Sequence, residues 1–142
     1  MRLNAWLLSA LLLGAFGCGD SNEPVGELTL TMQNISGIYS STTFTTEENG
    51  VVTNQVQLGG SIQLRLYGDG STEGTLFIPA GTVTAVDVQE SLIGTWQLAG
   101  NVVTLDHNSD TFLEDMDLVF EETHLTGETT RDGVIYRVVL AW

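Results

Sequence analysis

The chain has 142 residues with one cysteine, 16 glycines and two prolines, and it sets 18 acidic residues against four arginines and no lysine, a formal net charge of −14. A field of that sign repels phosphate backbones, which excludes nucleic acid as an expected partner. Because Cys18 stands alone, an internal disulfide is excluded too, and packing and backbone hydrogen bonds have to hold the fold.

In chain order, Met1-Arg2-Leu3-Asn4 puts a positive charge ahead of an apolar run over residues 5–16. That run has the length of a signal-peptide core and falls short of the roughly 20 residues a bilayer-spanning helix needs. The junction Ala15-Phe16-Gly17-Cys18 resembles a bacterial lipobox, in which a peptidase cuts before a cysteine whose sulfur has been acylated. The resemblance implies a lipoprotein signal peptide over 1–17 and lipid attachment at Cys18. It also implies a lipidated terminus and tether over 18–26, which includes the polar stretch Gly19-Asp20-Ser21-Asn22-Glu23-Pro24. An ordinary secretory signal that leaves Cys18 as a free thiol is the alternative, and either route carries the chain out of the cytoplasm. Residues 27–142 then amount to one domain.

Thr, Val and Gly dominate that domain, no apolar repeat at helical spacing exceeds about two turns, and turn signals recur about every 8 to 12 residues, so the domain reads as all-β. Residues 28–33 and 37–46 read as strands, with Asn49-Gly50 as the turn before another over 51–58. Over 61–67, Ile62, Leu64 and Leu66 alternate with Gln63, Arg65 and Tyr67; Gly68-Asp69-Gly70 turns the chain and 75–78 runs back. Trp96 and Leu98 alternate with Thr95 and Gln97, Ala99-Gly100-Asn101 turns, and Val103 and Leu105 alternate with Val102 and Thr104. Met116, Leu118 and Phe120 form one face of a further strand, 124–130 follows Glu122-Thr123, and Arg131-Asp132-Gly133 leads into 134–142. About eight sequential strands with one apolar face hide their edges by closing, so the expected fold is an up-and-down antiparallel β-barrel of about eight strands. A β-sandwich satisfies the same alternation and stays open as the alternative.

Gly37-Ile38-Tyr39, the strand-turn-strand unit from Gly94-Thr95-Trp96-Gln97 through Val103-Thr104-Leu105, and the acidic segment through Asp115-Met116 resemble the small lipocalin-like (calycin-like) lipoproteins of Gram-negative bacteria. The likeness spans roughly residues 35–142, with Tyr39 where lipocalins proper carry the tryptophan of a Gly-x-Trp element. It implies a lipid-anchored domain of the cell envelope, facing the periplasm or the exterior, whose N-terminal lipid makes the membrane its partner. Gly19, not Asp, follows Cys18, which by resemblance to enteric lipoproteins points to the outer membrane. Two functions stay open: binding of a small apolar or amphipathic ligand, or a structural or interaction module with a filled barrel.

Residues suited to catalysis are sparse. The histidines are His107, in a polar loop where solvation is the ordinary reading, and His124, opening a strand. There is no Gly-x-Ser-x-Gly elbow, so no enzyme and no cofactor are expected. The neighbours in Glu47-Glu48 and Glu121-Glu122 point to opposite faces of a strand and read as surface charge. Asp106-His107-Asn108-Ser109-Asp110, with Asp117 in twelfth place, has the spacing of a Ca²⁺ loop, yet Thr111 occupies the place of the usual glycine and a connecting loop is the plainer reading. No cysteine or histidine spacing suits zinc, so no metal is expected. Gly68-Asp69-Gly70 and Gly74 lack the lysine of a phosphate loop. Among the inward-reading residues, Trp96, Leu118 and Tyr136 are the candidate ligand contacts, although the same alternation also serves a packed core. The last strand resembles the closing strand of an outer-membrane barrel, but the Ser- and Thr-rich 37–46 lacks the lipid-facing band such a barrel needs.

Overall fold

Short turns lay out the sheet. In the computed structural model, which describes residues 29–142, Asn49-Gly50 and Asp132-Gly133 both take positive φ (52° and 78°; 53° and 81°). That geometry matches the twist of two adjoining strands. The first turn joins β1 (Gly37–Glu48) to β2 (Val51–Asn54), and the second joins β9 (His124–Arg131) to β10 (Val134–Ala141). Between them run β3 (Ser61–Leu66), β4 (Ser71–Ile78), β5 (Val88–Ser91), β6 (Gly94–Ala99), β7 (Val102–His107) and β8 (Leu118–Glu121). β10 returns to β1 in a register that runs from Ser40 opposite Ala141 to Glu48 opposite Val134. Eight antiparallel strands, β1, β3, β4 and β6 to β10, thereby close an up-and-down barrel, and the sandwich alternative falls away. β2 and β5 lie beside it, paired to β1 and β4. The expected signal peptide, Cys18 and the tether lie outside the described residues.

Alternation fills the bore. Ile62, Leu64 and Leu66 of β3 and Val103 and Leu105 of β7 are buried, while Gln63, Arg65 and Thr104 between them face out. The base of the barrel, away from the two turns just named, is sealed by α1 (Met32–Ile35), which the sequence reading took for part of a strand over 28–33. Thr31 explains the difference: its Oγ1 accepts from the Asn34 N–H at 3.4 Å while its own N–H donates to Asn34 Oδ1 at 2.6 Å, so a capping box satisfies donors that a strand would have paired across the sheet. Residue 28 lies outside the described residues. Tyr39 then donates its hydroxyl to the Ile35 carbonyl at 2.6 Å, and burial pushes that phenol up to about 12.

The strand expected over 51–58 ends at Asn54. The Gln55 N–H donates to the Phe44 carbonyl at 2.8 Å, and its buried side chain donates to the hydroxyls of Thr46 (2.8 Å) and Thr82 (3.0 Å). A short 3-10 turn, Val56–Leu58, follows in place of further strand. β5 carries no apolar alternation that could have announced it. From its end the chain steps in at Leu92, whose N–H donates to Gly74 O at 3.0 Å, and continues as β6 along the same side of β4.

The strand expected to start at Met116 begins only at Leu118. β7 and β8 share just two residue pairs, Val102 with Val119 and Val103 with Leu118, and segment 108–117 completes the wall above them. Three successive tight bonds, from the N–H groups of Glu114, Asp115 and Met116 to the carbonyls of Thr111, Phe112 and Leu113, coil this segment so that Phe112, Leu113 and Met116 all turn inward. Gly127 on β9 leaves the room, since a Cβ there would meet Met116 Sδ at 2.5 Å.

Two glycines separate rigid from yielding contacts. A Cβ at Gly94 would stand 2.1 Å from the Asp106 carbonyl oxygen and 2.7 Å from His107 Cα, both main-chain atoms of β7. Gly94→Ala should therefore cost about 2–3 kcal/mol, and Gly127→Ala, which presses on the adaptable Met116, about 1 kcal/mol. Urea unfolding of the two variants checks the order; equal midpoints would mean that the β6–β7 main chains shift as freely as a methionine.

Candidate functional site

The middle of the barrel is occupied. Phe44 of β1, Phe112 of the 108–117 plug and Tyr136 of β10 stack in sequence, with centroids 5.7 Å apart at 24° and 4.2 Å apart at 10°. Met116 and Leu118 are fully buried within the same core. Open space remains at the mouth, where a pocket of about 230 Å³ lies between β4 and β5, the plug and the β9–β10 turn. Leu76, Ile78 and Val88 supply apolar wall, Phe112 and Tyr136 the aromatic surface, and Glu90 and Arg131 the charge.

Arg131 ties the plug to the wall. Its Nη2 lies 2.7 Å from Asp110 Oδ2, Nη1 3.5 Å from Asp115 and Nε 4.0 Å from Asp132. The hydrogen bond to Asp110 raises the guanidinium further above its ordinary range. Thr129 Oγ1 adds a bond to the Asp115 carbonyl at 3.0 Å, and Glu114 Oε1 accepts the His107 N–H at 2.7 Å, so the plug is held from both sides. Glu90 shares the face of Val88 on β5, is half-buried, and has no ion-pair partner among the described residues. Burial raises the Tyr136 phenol, with Asp132 adding to the effect.

Trp96, Leu118 and Tyr136 are not brought together. Trp96 is buried toward the base, where its Nε1 donates to the Tyr67 carbonyl at 2.8 Å. Leu118 is wholly enclosed in the core, and only Tyr136 borders the pocket. Sequence reasoning missed Phe112, Arg131 and the β5 pair Val88 and Glu90. Phe112 sat in a stretch rich in turn-forming polar residues, and β5 carried no periodic signal.

His107 is a correction as well. It is the last residue of β7, alternates inward with Val103 and Leu105, and is 7% exposed, where solvation was expected. Among the described residues neither ring nitrogen has a hydrogen-bond partner, nor does Oγ1 of the buried Thr111. The calcium spacing does not produce a cage: Asp106 faces outward from β7, Asp110 is engaged with Arg131, and among the described residues no three His, Cys, Asp or Glu side chains are grouped to hold a metal ion. Of the carboxylate pairs, Glu47 reaches Arg137 Nη1 at 2.8 Å, Arg137 also bonds Glu128, and Glu48, Glu121 and Glu122 are exposed. His124, half-exposed, lies 3.3 Å from the Thr123 hydroxyl through its Nδ1.

No family model, curated protein or solved structure matches this chain. The closed eight-stranded antiparallel barrel is compatible with a lipocalin-like fold.

Burial holds the His107 imidazole below its ordinary 6.5, against a smaller upward pull from Asp106. The unfolded chain therefore takes up a proton that the folded chain refuses, so this contribution to stability is complete above about pH 6.5 and is lost as the pH falls toward the folded value. Unfolding free energies measured from pH 7.5 to 5.5 should decline for the parent and flatten for His107→Leu. A variant profile as steep as the parent's would place the proton uptake elsewhere.

Proposed function

We propose that the protein is a lipid-anchored barrel of the bacterial cell envelope that holds a small apolar or amphipathic molecule at its mouth. The pocket over the Phe112–Tyr136 pair carries this reading, because it is where apolar wall, ring surface and charged side chains meet open space. The bore beneath it is packed with side chains, so a ligand would be limited to what the mouth admits. An apolar cavity of about 150 Å³ holds benzene, and the roughly 230 Å³ here suits a single ring with a short chain.

The anchor rests on the lipobox-like Ala15-Phe16-Gly17-Cys18. The described residues begin at Thr29, at the base beside α1, so an anchor on Cys18 would join the barrel at that end. The reading is of a binding role and not an enzymatic one, and it draws support from the histidines: His107 is enclosed with no hydrogen-bond partner among the described residues, and His124 opens β9 at the base. A structural or interaction module is the second reading. It draws on the filled bore and on Val51 and Val52, 66% and 60% exposed on β2.

Two measurements test this. Native mass spectrometry of the protein purified from its own host should show a small extra mass that denaturation removes; a clean apo mass from folded protein would favour the module. Cys18→Ser should move the protein from the membrane fraction to the soluble one, and a variant that stayed with membranes would overturn the anchor.

A further inference from the structure

The charges around the pocket do not cancel. Arg131 is the one cationic side chain bordering it among the described residues, and that guanidinium is already engaged by Asp110 at 2.7 Å and Asp115 at 3.5 Å. Glu90, on the same face of β5 as Val88, is half-buried against Leu76 and Ile78 across the pocket and has no ion-pair partner among the described residues. Asp132 adds a second carboxylate, reaching Arg131 only at 4.0 Å. A carboxylate beside apolar wall gains from a cation that brings its own apolar body, since the pair forms where water is partly excluded. The Tyr136 ring, which borders the pocket, favours the same sign of charge through its electron-rich face.

Resting on the binding reading above, we infer that the pocket is selective for small organic ammonium compounds, an amine on a single-ring or short-chain apolar body, with Glu90 as the counter-ion. The apolar part lies against Leu76, Ile78 and the Tyr136 ring, and the ammonium group meets Glu90, with Asp132 drawing it toward the mouth. An anionic ligand of the same shape meets the Glu90 carboxylate, the weakly paired Asp132 and an arginine already engaged by Asp110 and Asp115.

The test is calorimetric titration of the purified full chain in a non-ionic detergent, with detergent alone as the blank, against three probes of matched size: 3-phenylpropylamine, 3-phenylpropanol and 3-phenylpropionate. The amine should bind about tenfold more tightly than the alcohol, and the carboxylate more weakly than either. Glu90→Gln should bring the amine down to the affinity of the alcohol, and tryptophan fluorescence matching the parent's shows that the variant is folded. Half-molar salt should weaken the amine alone. If the alcohol or the carboxylate binds as tightly as the amine, or if Glu90→Gln leaves the amine unaffected, the ammonium selectivity is wrong while the pocket stands. If no probe binds, the pocket reading itself fails.

Discussion

The pairing of β1 with β10 is the constraint on which the other features depend. β1 is the longest strand, bonded to β3 along its first residues, to β2 along its last, and to β10 over almost its whole length. A bulge between Ser41 and Thr43 lets it bend as it changes partner, and Thr42 bonds the Val139 carbonyl at 3.2 Å across the bulge. With that seam closed, strand number sets the bore, and eight strands leave a width that side chains can fill. Outside the seam Arg137 links Glu47 of β1 to Glu128 of β9, and inside it Phe44 and Tyr136 share the Phe112 ring between them. The exposed ion pairs contribute little, so the buried ring stack and the ladder are what hold the closure.

The two ends of the bore are filled by different means. At the base a single turn of helix, capped by Thr31 and Asn34, sets Ile35 under the strands and offers its carbonyl to Tyr39. At the mouth the wall itself is incomplete, because β8 is four residues long and reaches only the first two residues of β7. Segment 108–117 replaces the missing wall and sends Phe112, Leu113 and Met116 inward, where Gly127 gives up its side chain to admit the methionine. The pocket is the space left between this improvised wall and the short β5. It owes its place to the early end of one strand and the lateral addition of another, and owes nothing to a hollow barrel.

The hairpins were legible because their signals are local. Asn49-Gly50 and Asp132-Gly133 need backbone conformations that few other residues tolerate, and Ile62, Leu64 and Leu66 announce a face by spacing alone. Closure followed from the count of strands and the need to hide edges. The mouth was not legible, for reasons that differ by residue. In 28–33 the alternation of a strand concealed a cap that depends on Asn34, three residues past Thr31. In 108–117 a polar composition hid three buried side chains, since a coiled turn presents residues inward at a spacing that is neither two nor 3.6. β5 is a strand because β4 lies beside it, and partner strands leave no trace in four residues such as Val88-Gln89-Glu90-Ser91. His107 looked solvated because its neighbours are polar, whereas its place in the alternation with Val103 and Leu105 decided its burial.

The plug and the pocket cannot be tuned separately. Arg131 fastens segment 108–117 to the end of β9 through Asp110 and Asp115, and its side chain also borders the pocket. Its charge is consumed in holding the plug, and among the described residues Glu90 on the facing wall has no ion-pair partner. Removing the guanidinium would free three carboxylates, two of them (Asp110 and Asp132) at the opening, and loosen the segment that carries Phe112, so the pocket would become more negative as its floor loosens. Neutralising Asp110 would remove the nearest of the three carboxylates around the arginine, leaving Asp115 at 3.5 Å and Asp132 at 4.0 Å, and would make the mouth less negative. The charge the mouth presents is therefore coupled to the bond that keeps the mouth in shape, and a charge change at either end of the Arg131–Asp110 pair alters both.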